Sequence, residues 1–407
     1  LFNSLLVIDD FISLMKVLLL SSLFCCIVVS FSYLKKEKVN CFEYNFLILF
    51  SILGLLLFIS SYDLVAMFLA LEVQSLAFYI LATLKKDSAF STESGLKYFI
   101  LGALSSGFLL FGISLVYGVT GTTSFESLAK LLINLDNYNV WISYETAYFG
   151  YVERLVLGML FLMSGFFFKM AAAPFHLWTP DVYEGAPSNV TIIFAVVPKL
   201  GVFIIFVRLF YYIFYDFILI WQNIIIIIAL ISVGFGSLAS LRQLRIKRFL
   251  AFSSITHVGF LLIAFATGTF EGLIGLFFYL VFYIIMSVNI WTTVILLEVK
   301  KNSIKFITDL QSLYKVNPII SITFLINLFS MAGIPPLAGF YAKSFIFLTA
   351  LESSLNFLVI FSIIFSVLSA FYYIRFIKII YFDKVLSSYF FKQWVSLKQA
   401  YILSMTF

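Results

Sequence analysis

Four charged residues lie in the interior of long apolar stretches of the sequence: Glu72, Lys169, Lys199 and Lys343. If these stretches cross a membrane, each central charge costs about 2.5–3.5 kcal/mol on insertion scales, so it persists where it is paired or has a function. Burial disfavours the charged form of an amine, whereas a nearby carboxylate favours it. A glutamate and several buried lysines can therefore pass a proton along a series of sites. Lysine suits this chemistry better than arginine, because arginine does not release its proton.

Two further residues are additional candidates for the same chemistry. Lys97 lies near the start of its apolar stretch, where a paired side chain or one that extends to the membrane surface explains it equally well. The imidazole of His257 is suited to proton transfer near neutral pH, and a core histidine with satisfied hydrogen bonds is an equal alternative. Both residues are retained as candidates beside the four central charges.

The composition indicates that most of the chain lies in lipid. Charged residues make up 11% of the 407 residues and hydrophobic residues 63%, whereas soluble domains are about 25% charged. A helix needs about 20 apolar residues to cross the hydrocarbon core. The sequence therefore predicts an all-α polytopic membrane protein with about eleven transmembrane helices, near residues 11–33, 43–61, 64–84, 95–118, 154–173, 188–212, 218–241, 249–267, 272–297, 317–351 and 355–381.

The loops between these spans differ in charge in a regular way. Alternate loops contain most of the basic residues, and cytoplasmic or matrix loops are the ones enriched in Lys and Arg. The net charge of +6 therefore reports orientation and does not indicate nucleic acid as a partner. The N-terminus is predicted outside, and the inner loops are those that carry Lys35, Lys36, Lys38, Lys85, Lys86, Arg242, Arg245, Lys247, Arg248, Lys300, Lys301, Lys305, Lys315 and Lys384.

Two of the predicted spans are interrupted by proline. Pro174 follows Lys169 in the fifth span, and a Pro-Pro pair at 335–336 precedes Lys343 in the tenth. Proline removes a backbone donor and clashes with the preceding turn, so unwound backbone at these places must be buried in protein or face water. Interruptions at corresponding places in two halves of a membrane protein are typical of a transport site.

The interruptions also define the expected domain organisation. Each falls at the fourth helix of a group of five, in residues 43–212 and in residues 218–381. An odd number of crossings in each group makes the two repeats inverted. We therefore predict one membrane domain over 1–407 that contains two inverted five-helix repeats, each with a broken helix. Residues 382–407 are predicted to form a C-terminal tail or a partial helix.

The sequence shows no pattern typical of a cofactor or metal site. Cys25 and Cys26 are adjacent in one apolar run and Cys41 stands alone, which gives no CxxC spacing. No GxGxxG follows a strand, and the glycine spacing at 102–107 lacks the lysine of a phosphate-binding loop. We expect no cofactor and no metal ion in this chain.

Several motifs together resemble a known family. They are FKMAAAPFHLWTPDVYEGAPSNVT from Phe168, TGTTSF from Thr120, KRFLAFSSITHVGF from Lys247 and MAGIPPLAGFYAK ending at Lys343. With these motifs the chain resembles the subunit 2 family of NADH dehydrogenase (ubiquinone), whose members are antiporter-like membrane subunits of respiratory complex I. The resemblance covers nearly the whole chain, and HLWTPDVYEGAP is its most specific part.

The resemblance implies roles for the central charges. Glu72 matches the glutamate of the family's ion pair and Lys169 its partner on the first broken helix. Lys199 matches the central lysine, and Lys343 matches the lysine of the second broken helix, which faces the outer exit. Lys97 and His257 lie within similar stretches, where the resemblance assigns no fixed role.

The resemblance also implies a function and a set of partners. It implies a proton-translocating subunit of NADH:ubiquinone reductase that holds no redox centre, with NADH, FMN, iron–sulfur clusters and ubiquinone in other subunits. Its partners would be lipids and other membrane subunits of complex I, including neighbouring antiporter-like subunits. The 51 phenylalanines and 23 tyrosines are typical of an AT-rich organelle genome, so the expected location is the mitochondrial inner membrane, with a bacterial plasma membrane as the alternative.

Two other functions share features with this sequence. A subunit of a cation/proton antiporter would also have inverted repeats and buried lysines, and the segment from Trp178 to Pro187 argues against it. A structural membrane scaffold would use the same charges as fixed ion pairs. Sodium-dependent transport would indicate the first, and normal proton pumping without Lys169 would indicate the second.

Overall fold

The helices of the chain follow the apolar stretches of the sequence closely. A computed structural model describes residues 4–37, 42–136, 146–300 and 304–383. The regular secondary structure of this part of the chain is helical, as predicted, in the elements α1 (Asp10–Glu37), α2 (Phe42–Ser60), α3 (Leu64–Ala82), α4 (Ala89–Thr120), α5 (Phe125–Asp136), α6 (Thr146–Met170), α7 (Trp178–Gly185), α8 (Ser188–Arg208), α9 (Ile218–Leu241), α10 (Ile246–Ala266), α11 (Phe270–Lys300), α12 (Leu313–Val316), α13 (Pro318–Ala332), α14 (Ala338–Glu352) and α15 (Asn356–Tyr381).

Nine helices within the described ranges are long and apolar enough to cross a membrane: α1 to α4, α8 to α11 and α15. The other two predicted spans correspond to the interrupted pairs α6–α7 and α13–α14. Of these, α13 is apolar but has only 15 residues. The predicted tail at 382–407 lies outside the described residues from position 384 onward.

Helix α8 forms the centre of the bundle. Its apolar window is buried over its whole length, and it packs against α1, α2, α6 and α11. By contrast, α4 and α15 expose large apolar side chains along one side, among them Leu104 and Ile363. Helices with an apolar exposed face are suited to lipid, whereas a helix surrounded by protein can hold a charged residue. The fold therefore places the central helix where Lys199 can be kept from lipid.

The packing of neighbours is the same in the two halves of the chain. In the first half, α2 packs against α3, α3 against α4, α4 against α6, and α8 returns to α2. In the second half, α9 packs against α10, α10 against α11, α11 against α13 and α14, and α15 returns to α9. Each half is therefore a closed ring of helices in which the interrupted pair occupies the fourth place.

The loop after α4 contains the short helix α5. The spacing of Thr123 and Glu126 in the sequence predicts a capping box at the start of this helix, and this prediction is wrong. The Thr123 hydroxyl donates to the Asp63 carboxylate at 2.6 Å, and Glu126 pairs with Lys130 at 2.6 Å. Ser124 accepts the backbone N–H of residue 127 instead. A tertiary acceptor, Asp63 at the start of α3, thus competes for the hydroxyl that local spacing assigned to the cap.

Candidate functional site

The first interruption separates α6 from α7 at residues 171–177. Helix α6 ends one residue after Lys169, and Ala171 has a positive φ of 65°. The Trp178 indole donates to the carbonyl of Phe168 at 2.9 Å, and the Ser232 hydroxyl on α9 accepts the N–H of Ala173 at 3.0 Å. The backbone groups released by the break are thus bonded within the protein, as burial requires. The break keeps Lys169 at the end of a helix, in the protein interior.

Glu72 and Lys169 lie in one polar group between α3 and α6. The Lys169 ammonium is 3.4 Å from the Tyr79 hydroxyl and 5.8 Å from the centre of that ring. Ser75 donates to one carboxylate oxygen of Glu72 at 3.3 Å, and the other oxygen is buried without a hydrogen-bond partner within the described chain. The described residues show no direct ion pair between the two groups. Tyr79 on α3 occupies the place beside the lysine.

Lys199 lies on the central helix α8 and is 3% exposed. Its ammonium donates to the Tyr283 hydroxyl on α11 at 3.0 Å, and that hydroxyl donates to the carbonyl of Ala195 at 3.3 Å. Pro198 has no N–H to offer the carbonyl of Phe194 one turn earlier. The Tyr183 hydroxyl donates to that carbonyl at 3.3 Å. Two tyrosines therefore support the helix and the amine at the point where proline weakens α8.

His257 on α10 is buried, and both of its ring nitrogens have partners. Nδ1 shares a hydrogen bond with the Tyr279 hydroxyl at 2.6 Å, and Nε2 shares one with the Tyr373 hydroxyl at 3.2 Å. Its ring centre is 5.5 Å from that of Tyr283, which holds Lys199. These contacts satisfy the imidazole as a core residue and also place it beside the central lysine.

Lys343 lies on α14, just after the second interruption, and is 5% exposed. Its ammonium donates to the carbonyls of Met331 at 2.9 Å and Ala332 at 3.0 Å, at the C-terminus of α13. Carbonyls at a helix end have no partner in their own helix, and a cation is favourable there. The ammonium is also 5.0 Å from the centre of the Phe260 ring on α10. Lys343 therefore joins the two halves of the broken helix.

Gly333 ends α13 beside this lysine and is conformationally required. Its φ is 84°, and an added Cβ would be 3.0 Å from Cδ of Lys343. Residues other than glycine are strained at such a φ by about 1–3 kcal/mol. We expect Gly333→Ala to strain this turn and to displace Lys343. The measured result should be a lower midpoint of thermal unfolding of the assembled protein.

Gly107 on α4 provides the matched control for this substitution, since an added Cβ there meets nothing within 4 Å. Gly107→Ala should not lower the midpoint and should raise it slightly, because alanine favours the helix more than glycine does. Equal midpoints for the two variants would contradict the assigned role of Gly333.

Lys97 lies apart from the other candidate lysines, in the first half of α4. It pairs with Glu93 at 2.7 Å and with Asp181 at 3.0 Å, and its side chain is 45% exposed. Arg248 on α10 also pairs with Asp181, at 2.8 Å. The surroundings of Lys97 are those of a surface ion-pair network that joins α4, α7 and α10.

The structure thus brings the other candidates into two neighbouring groups. Glu72 and Lys169 form the first, and Lys199, His257 and Lys343 form the second. The second group is continuous through aromatic contacts, because Phe260 lies 6.5 Å from the ring centre of His257 and beside Lys343. No sequence signal distinguishes the tyrosines that bond to the candidates within these groups, since tyrosine is frequent throughout the chain. They are Tyr79, Tyr279, Tyr283 and Tyr373.

The fold and the site define the class of this protein. It is a multi-pass α-helical membrane protein with two interrupted helices and lysines held inside the bundle. The chain belongs to the family described as NADH:quinone oxidoreductase/Mrp antiporter, TM, which matches residues 61–369. The resemblance that the sequence motifs indicated is therefore confirmed.

Individual relatives agree with this assignment. The chain is 47% identical over 379 residues to NADH-ubiquinone oxidoreductase chain 2 of Marchantia polymorpha, covering 93% of this chain and 75% of the relative. It is 42% identical over 388 residues to NADH-quinone oxidoreductase subunit N of Paramagnetospirillum magneticum, with coverages of 95% and 78%. A chain of respiratory complex I from Thermus thermophilus has a similar structure, with a TM-score of 0.72, 27% identity and coverages of 95% and 81%.

Proposed function

We propose that this chain is a proton-translocating core membrane subunit of respiratory complex I. It couples NADH:ubiquinone electron transfer, which takes place in other subunits, to proton export. The observation that carries the proposal is the set of lysines inside the bundle. Each of their amines donates a hydrogen bond to a tyrosine hydroxyl or to a backbone carbonyl. The relatives with 42–47% identity are named as subunits of NADH oxidoreductases, which favours this branch of the family over the cation/proton antiporters.

The proposed path uses Glu72, Lys169, Lys199 and Lys343, the four charges in the interior of the apolar stretches. Glu72 favours the protonated form of Lys169 when it approaches the amine, and this preference weakens when the two groups move apart. In this structure the Lys169 amine lies 3.4 Å from the Tyr79 hydroxyl. A change in the distance between Glu72 and Lys169 alters the proton affinity of Lys199, because the ammonium groups of Lys169 and Lys199 repel each other. Lys343 then accepts the proton beside the second break and passes it outward. Each transfer moves one proton from an ammonium to a neutral amine, so charge is conserved.

The repeat architecture is part of the proposal. The same order of helix neighbours in the two halves supports inverted repeats over 43–212 and 218–381. In that scheme the interrupted pairs α6–α7 and α13–α14 complete eleven spans, and Lys169 and Lys343 are counterparts at the two breaks. Residues 1–407 then form a single membrane domain, with 382–407 as a tail or partial helix.

The partners and location follow from membership in the complex. We propose that NADH, FMN, iron–sulfur clusters and ubiquinone are bound by other subunits, and that this chain contacts neighbouring antiporter-like subunits and lipids. Structures of similar fold include multi-subunit membrane complexes, which supports partners of this kind. The relative from Marchantia polymorpha and the composition support the mitochondrial inner membrane, and a bacterial plasma membrane is the alternative.

Separation of native membrane complexes on a gel, followed by peptide identification, tests this assignment. We expect peptides of this chain in the band that oxidises NADH, together with peptides of other antiporter-like subunits. Peptides confined to a complex without NADH-oxidising activity would contradict the proposal and would indicate the antiporter alternative.

A further inference from the structure

A buried carboxylate lies at the inner end of the central helix, outside the set of charges considered so far. Glu298, near the end of α11, is 8% exposed and accepts a hydrogen bond from the Ser188 hydroxyl at the start of α8. The Lys247 ammonium is 3.8 Å from its other oxygen and also donates to the carbonyl of Ala186 at 3.2 Å. Lys247 is more exposed than Glu298. The carboxylate is therefore in contact with the inner surface but mostly inside the protein.

Polar side chains connect this carboxylate with the middle of the membrane. Thr191 lies one turn above Ser188 on α8 and is fully buried. The Ser254 hydroxyl on α10 donates to the carbonyl of Ala251 at 2.7 Å and also lies near the hydroxyls of Tyr183 and Tyr283. Tyr283 in turn holds the Lys199 ammonium at 3.0 Å.

These side chains come from four helices that pack together, α7, α8, α10 and α11. At a rise of about 1.5 Å per residue, the distance from Ser188 to Lys199 along α8 is about 16 Å. Ordered water molecules between such groups complete hydrogen-bonded chains in buried polar sites. We name this row of hydroxyls, from Ser188 to Tyr283, the inner hydroxyl lane.

We propose that Glu298 is the proton-accepting group at the inner mouth of this lane and supplies protons to Lys199. The inference rests on the proposed function. The Glu298 carboxylate accepts a proton from the inner aqueous phase and becomes a neutral acid. The proton then passes along the hydroxyls and intervening water to the neutral amine of Lys199, which becomes an ammonium, and Glu298 returns to its carboxylate. No oxidant or reductant takes part. In each transfer the bond between the proton and its donor atom breaks as the bond to the acceptor atom forms.

An acid of the adjoining helix α7 differs in its surroundings. Glu184 on α7 is bound by two arginines, Arg245 and Arg248, which do not release protons. Glu298 instead faces a lysine and a hydroxyl, and the hydroxyl begins the lane. Its position therefore suits proton uptake, whereas the position of Glu184 suits a fixed ion pair.

The test compares Glu298→Gln, Glu184→Gln and Lys199→Met in the assembled complex, reconstituted into sealed vesicles. The number of protons pumped per electron is measured with a pH-sensitive dye during NADH oxidation. Glutamine keeps an oxygen acceptor for Ser188 but carries no proton. We expect Glu298→Gln to lower the ratio to the value of Lys199→Met. The double variant with Glu298→Gln and Lys199→Met should lower the ratio no further. Glu184→Gln should leave the ratio unchanged.

The outcomes separate this inference from the proposed function. A lowered ratio in Lys199→Met with a normal ratio in Glu298→Gln would overturn the inference alone. Normal ratios in both would overturn the proposed function as well. If Glu298→Gln does not assemble, Tyr283→Phe tests the lane independently, because it removes only the hydroxyl that joins the lane to Lys199. A normal ratio in Tyr283→Phe would then overturn the lane, and a ratio equal to that of Lys199→Met would support it.

Discussion

Replacement of Lys343 by arginine is expected to abolish this chain's share of proton pumping while the complex still assembles. A guanidinium can donate to the carbonyls of Met331 and Ala332, as the lysine does, and it keeps the positive charge at the end of α13. It does not release a proton at physiological pH. Lys343→Arg therefore separates the structural role of this residue from its role in proton transfer. The measurement is the number of protons pumped per electron in reconstituted vesicles.

Lys343→Met gives the complementary result. Methionine fills similar space but leaves two buried carbonyls without a donor, which costs about 1–3 kcal/mol for each unsatisfied group. We expect reduced assembly together with reduced pumping, against normal assembly for Lys343→Arg. Normal pumping by the arginine variant would show that Lys343 only joins the two halves of the broken helix.

Lys169→Ala is expected to reduce pumping to a similar extent. The lysine is half-buried at the end of α6, and among the described residues its one hydrogen-bond partner is the Tyr79 hydroxyl. Removal of the side chain eliminates the amine that Glu72 acts upon. The number of protons pumped per electron should therefore fall to the level of Lys343→Arg.

The scaffold alternative predicts the opposite pattern for Lys169→Ala. If Lys169 only stabilises the fold, the variant should assemble poorly, and the complexes that do form should pump at the normal ratio. Lys130→Ala is the matched control, since Lys130 is an exposed lysine of α5 that pairs with Glu126 one turn away. Such surface pairs contribute little to stability, and its removal should change neither assembly nor pumping.

The central charges could be found from sequence because charge is scarce in apolar stretches. Lys199 and Lys343 are conspicuous in a chain with 11% charged residues, and the structure buries both. The interruptions were also predictable, because proline cannot continue a helix without loss of a hydrogen bond. Helix α6 nevertheless ends at Met170, four residues before Pro174, so the break is longer than the position of proline alone indicates.

The partners of these charges could not be predicted in the same way. Tyr283 is 84 positions from Lys199 in sequence, and nothing local distinguishes it from the other tyrosines. Glu298 was missed for a different reason. It lies at the end of a span beside Lys300, so its charge is counted with the inner loop, and only the packing of α8 against α11 shows that it is buried.

The placement of Lys97 illustrates the limit of reasoning from depth. Its position near the start of a span was compatible with proton transfer and with a surface pair. The structure gives it two acidic partners and leaves its side chain 45% exposed. Tertiary contacts with α7, which the sequence places 84 positions away, provide this environment.

The most direct measurement of proton transfer through this chain is the number of protons pumped per electron by the Lys199→Met complex in sealed vesicles. Lys199 is the central amine, on the one described helix whose apolar window is entirely buried. We expect the variant complex to assemble and to oxidise NADH, with fewer protons pumped per electron than the unmodified complex. An unchanged ratio in a fully assembled complex would contradict proton transfer through Lys199.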